Sequence, residues 1–164
     1  VEVIYTRETD EFVDLWERGS IANRAEADLF VSIHADAFTS SSVRGASVFF
    51  LGLDRSDRSF EVMKEENQIY ANSERIAYMV EDQLKNRAQR KSRGVRQKGL
   101  VVLYQSTMPA ILVETGFLTN PAEKRYLTSD WGQSLIASAI YRAIKQYKQE
   151  QDESYSLKAT SAND

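Results

Sequence analysis

Short apolar, β-branched runs alternate with amphipathic stretches along this chain. Val1–Tyr5 (VEVIY), Leu29–His34 (LFVSIH), Ala46–Leu51 (ASVFFL), Leu100–Tyr104 (LVVLY) and Ala110–Val113 (AILV) have the length and branching of strands. Phe12, Leu15, Trp16, Ala22 and Ala25 recur at helical spacing, which predicts a helix capped by Thr9 or Asp10 and running to Glu26. Ile76, Ala77, Val80 and Leu84 predict a second helix, from a Ser73 cap to Arg90. Pro121 suits the first turn of a short helix ending at Leu127. Trp131, Leu135, Ile136, Ala139, Ile140, Ala143, Ile144 and Tyr147 carry the strongest helical period, in a last helix begun by Thr128 or Ser129. Gly52–Asn72, with mixed charge and weak period, reads as a loop with some helical turns. From Glu150 the chain is polar and non-periodic, which predicts a disordered tail over 150–164 behind a single domain over 1–149. The order β-α-β-β-α-β-β-α-α predicts an α/β domain with helices covering a largely buried sheet.

Composition narrows the class without changing that picture. A chain of 164 residues with 42% apolar and 27% charged residues is long enough to bury a core. It has no cysteine, which removes disulfides, thiol catalysis and cysteine-type zinc sites. A net charge of −3 gives no global basic excess for nucleic acid, and no apolar run is long enough for a membrane span. Seven basic residues and no acid fall within Leu84–Lys98, a solvated helix end and loop or a patch for an anionic polymer. The chain opens on Val1 in a strand-like segment rather than on methionine, which predicts an upstream segment in the parent protein.

The candidate chemistry sits at two strand ends. His34 is the only histidine and closes LFVSIH; Glu114 closes AILVE. Sites of open α/β sheets lie outside the carboxyl ends of strands. A carboxylate ending a buried strand is costly unless it is paired, metal-bound or catalytic. There is no G-x-S-x-G elbow around Ser47 or elsewhere, no Walker loop and no G-x-G-x-x-G.

Two spaced strings carry a family resemblance. In the first, Arg7, Asp10, Leu15, Arg18, Ala22 and Asn23 precede a strand ending in Ser32, His34 and Asp36. In the second, Gly94, Val95 and Leu103 lead to Pro109, Leu112, Glu114, Gly116, Phe117 and Asn120. Together they resemble the zinc-dependent N-acetylmuramoyl-L-alanine amidases of the type 3 family. The resemblance implies a twisted, mainly parallel central sheet flanked by helices on both faces, here without the family's first strand. It implies hydrolysis of the amide between muramic acid and the first L-alanine of the peptidoglycan stem peptide. It also implies a Zn2+ cofactor with His34 as a metal ligand, Glu114 as the catalytic residue acting on the metal's water, and a bacterial envelope location. Peptidoglycan is then the partner, with an activator protein as a second, and neither nucleic acid nor a membrane span is expected.

The family's first zinc histidine, in a D-x-G-H-G segment, and its glutamate ligand belong upstream of Val1, and neither motif occurs here. Two readings follow: an amidase whose remaining ligands lie upstream, or a non-catalytic module that binds cell-wall glycan or a protein partner. In regulated members the position of Gly52–Asn72 holds an insertion that can cover the zinc. Glu61, Glu65 or Glu66 could reach the site from there, with a plain surface loop as the alternative.

Overall fold

The computed structural model describes residues 1–52 and 60–161, with side chains described for 1–52 and 68–156. It is an α/β domain. Helix α1 (Leu15–Arg24) leads to β1 (Phe30–Asp36) and β2 (Ala46–Phe50). Helix α2 (Phe60–Asn86) precedes β3 (Ser92–Gln97), and the short α3 (Val101–Tyr104) precedes β4 (Ala110–Phe117). Helices α4 (Pro121–Leu127) and α5 (Asp130–Ser161) close the chain. The sheet order is β1-β4-β2-β3. The β1–β4 and β2–β3 pairs are parallel and β2–β4 is antiparallel, so the sheet is mixed and mainly parallel, as expected.

Side chains alternate between the two faces of each strand. Ala46, Val48, Ile111 and Val113 meet Ile76, Val80 and Leu84 of α2 and Ile136, Ala139, Ile140 and Ala143 of α5 in the larger core. The opposite face carries a smaller core, in which Phe30, Ala110 and Leu112 meet Ala22 of α1 and Val102 and Leu103 of α3. Helix α1 starts at Asp14, whose carboxylate accepts the Trp16 N–H at 2.9 Å. Asn23 then clasps the loop after α3: its amide donates to the Gln105 carbonyl at 2.7 Å, and its oxygen accepts the Thr107 N–H at 3.1 Å. In α4, Pro121 takes the first turn and Asn120 caps it, accepting the Ala122 and Glu123 N–H groups.

Several elements depart from the sequence pattern. Val1–Tyr5 is irregular and exposed: its β-branched residues find no strand to pair with among the described residues. Leu100–Tyr104 is not a strand; Val101–Tyr104 forms one helical turn that buries Val102 and Leu103 against α1. Helix α2 begins at Phe60, inside the segment read as a loop, and Ser73 lies within it, its hydroxyl donating to the Ile69 carbonyl. Residues 53–59 of that segment lie outside the described residues. The basic stretch hides an edge strand, β3. Finally, α5 continues through 150–161, where a disordered tail was expected. The stretch holds no glycine or proline, and Lys148–Asp152 and Gln149–Glu153 contacts span successive turns.

Candidate active site

His34 and Glu114 are direct partners in the parallel β1–β4 ladder, and Ser47 of β2 faces Glu114 from the other side. Their alternation puts His34, Glu114 and Ser47 on the face that α1 and α3 cover, beyond the edge of the smaller core. Just past Glu114 the ladder slips: His34 pairs with Glu114 but Asp36 pairs with Phe117, so β4 carries one extra residue. Bulges of this kind re-aim side chains next to sites. The Thr115 hydroxyl donates to the His34 carbonyl at 2.8 Å across that bulge.

The Glu114 Oε2 atom is buried and has no hydrogen-bond partner. Its carboxyl is pushed up to about 7, first by burial and then by the negative charge of Asp36, with Lys98 opposing. His34 is held below its usual value by burial first, then by the positive charges of Arg18 and Arg7. Its Nε2 lies 2.8 Å from the Ser32 hydroxyl. At neutral pH the site therefore pairs a neutral imidazole with a carboxyl poised between its two protonation states. That is the condition general acid–base catalysis asks for.

The structure thus brings together the two residues singled out from sequence. It adds a charged rim of Arg7, Arg18, Asp36 and Lys98. Lys98 was visible only as one member of the basic stretch; its amino group sits 5.7 Å over the Phe49 ring. The side chains of Glu61, Glu65 and Glu66 lie outside the described residues. A zinc centre of the hydrolytic type takes three protein ligands. Among the described residues no group of three or more His, Cys, Asp or Glu side chains is placed to hold a metal ion, so His34 does not complete such a centre by itself. No helix among the described residues is long and apolar enough to cross a membrane.

The open α/β sheet thus carries an imidazole and a proton-poised carboxyl on paired residues of adjoining strands. The family model described as N-acetylmuramoyl-L-alanine amidase (Amidase_3) matches residues 1–146, and the chain belongs to that family. It is 31% identical over 176 residues to the N-acetylmuramoyl-L-alanine amidase AmiA of Escherichia coli (strain K12), covering 90% of this chain and 61% of that protein. The catalytic domain of CwlV, the amidase from Bacillus (Paenibacillus) polymyxa var. colistinus, is similar at a TM-score of 0.75 and 29% identity, over 90% of this chain and 73% of that one. The CwlD amidase of Clostridioides difficile, solved in complex with the GerS lipoprotein, matches at a TM-score of 0.67 and 29% identity, over 82% of this chain and 61% of that one. The chain thus spans about three fifths of the AmiA relative's length.

Proposed function

We propose that this domain supplies the catalytic carboxyl of a peptidoglycan amidase, which hydrolyses the bond between N-acetylmuramic acid and the L-alanine of the stem peptide in the bacterial envelope. The observation that carries the reading is Glu114: a buried, unpartnered carboxylate oxygen directly beside His34, on a carboxyl pushed up to about 7. Such a group takes a proton from attacking water and returns it to the leaving amine. Family membership supports the bond that is cut. His34 is the donor this chain would give to a zinc ion, its neutral ring free of competition from protons. Among the described residues no group of three or more His, Cys, Asp or Glu side chains is placed to complete that ion's site. A protein partner fits the same reading, given the lipoprotein bound to the CwlD relative.

The test is incubation of the chain with purified peptidoglycan, with zinc and with a chelator, followed by mass spectrometry for stem peptides that begin with L-alanine. Release that Glu114→Gln abolishes supports the proposal; equal release by the variant removes Glu114 from its role. The incomplete donor set favours one second reading, a module that binds wall glycan without cutting it. Retention on peptidoglycan with no peptide released would establish that one.

A further inference from the structure

We infer that the buried Arg90–Glu123 ion pair is a positioning device: acting through Thr115, it sets the bulged end of β4 and with it the placement of Glu114 against His34. The inference rests on the amidase reading of those two residues. Glu123, in the first turn of α4, gathers donors from separate parts of the chain. It accepts the Gly45 N–H at 3.0 and 3.1 Å through its two oxygens, the Phe117 N–H at 2.8 Å, and the Arg90 guanidinium. Arg90, between α2 and β3, donates through Nε to the Thr115 carbonyl at 3.1 Å. The Thr115 hydroxyl in turn donates to the His34 carbonyl at 2.8 Å. The approach to β2 and the end of β4 are therefore tied directly to a single ion pair, and the end of β1 is tied to it through Thr115, the residue next to Glu114.

The surroundings hold the pair in one pose. Arg90 and Glu123 are both buried, and the Tyr126 ring lies under the guanidinium at 4.7 Å. The Tyr126 hydroxyl is itself anchored on the Ala88 carbonyl at 2.9 Å. A Cβ at Gly116 would stand 2.6 Å from Arg90 Nη2 and 2.8 Å from Glu123 Oε2, so the pair rests directly on the strand backbone. Gly45, at φ +110°, would drive a Cβ to 2.5 Å from the Lys91 carbonyl oxygen, and its own N–H is one of the donors to Glu123. A buried ion pair adds little stability over an apolar pair of the same size. What it supplies here is direction: every bond it makes fixes backbone within a few residues of the site. Placement matters because small errors in the position of a catalytic group are costly to rate.

The chain's single histidine makes the test direct, because His34 gives the only imidazole signals in an NMR spectrum. Arg90 connects to His34 through Thr115, and Glu123 connects both through Arg90 and through Phe117, which pairs with Asp36. The inference expects Glu123→Gln and Arg90→Lys both to shift the His34 ring signals at one fixed pH. Thr115→Val should shift them further, and Thr115→Ser, which restores the hydroxyl, should return them to the wild-type positions. Ile136→Val, in the larger core, should lower the thermal midpoint without moving them. Ring signals that stay at wild-type positions in folded Glu123→Gln or Arg90→Lys would overturn the inference and leave the pair a stability element. Should neither variant fold, the Thr115 pair decides: equal signals in the Val and Ser forms overturn it. The readout needs no turnover, so failure here is separate from failure to release stem peptides.

Discussion

On one face of the sheet, α2 and α5 close over Val48, Ile111 and Val113 with side chains such as Ile76 and Val80, and these five are fully buried. On the other face, α1 and the one-turn α3 cover Phe30, Ala110 and Leu112 and then stop. Beyond Leu112 and its partner Ser32, the next residues on that open face are His34 and Glu114. Strand β4 serves both faces through its alternation: Ile111 and Val113 point to the deep core, Leu112 and Glu114 to the shallow side. The same strand is therefore anchored by one face and carries the candidate carboxyl on the other. A domain with two equally thick layers would have no place to leave a carboxyl half-desolvated.

Substitutions should separate the faces. The largest effect is on the open side: Glu114→Gln should lower amide hydrolysis by about 10²–10⁴-fold, as loss of a general acid–base group does. Denaturant melting of the same variant should show no loss of stability. Next, Ile76→Ala on the closed face should cost about 2–5 kcal/mol in urea unfolding, whereas Trp16→Ala, on the half-exposed surface of α1, should cost about 1 kcal/mol or less. Equal losses would erase the contrast between the faces. A third effect depends on pH. Because the Glu114 carboxyl rises from an ordinary 4.5 to about 7 on folding, the metal-free folded chain holds its proton more tightly than the unfolded chain. Its contribution to stability is full below pH 4.5 and is lost as pH rises through about 7. Thermal midpoints should show that decline in the wild type and less of it in Glu114→Gln. The smallest effect is at the cap of the open-face helix: Asp14→Ala should cost about 1 kcal/mol, read in the same melts.

The closed face was also the more legible one. Ile76, Val80 and Leu84, and Ile136, Ala139, Ile140 and Ala143, announce their helices because each must keep a continuous apolar stripe on the sheet. The candidate site residues stood out for a related reason: His34 and Glu114 are polar groups ending apolar strands. The open face and the edges were harder to read. Leu100–Tyr104 has strand composition, but burial of Val102 and Leu103 beside α1 overrode local preference. Strand β3 is an edge strand with Arg93 and Arg96 on it, so no apolar alternation marks it. Arg93 lies over the Phe117 ring at 5.1 Å, a contact that pattern cannot foretell. Arg90 and Glu123 were the least visible: charged residues have no periodic signature of burial, and only the fold brings them together.

The sheet order also has a consequence for how the chain comes to be folded. Both β1 and β2 pair with β4, the last strand in sequence, and 81 residues separate Thr115 from the His34 carbonyl it bonds. Closing so long a loop carries an entropic cost before any ladder bond forms, and contacts of such separation slow folding. During synthesis the two earlier strands must wait for β4, and until it emerges there is neither a central strand nor a site. Glu114 arrives on the same strand that completes the sheet, so the candidate site and the fold are assembled in one step.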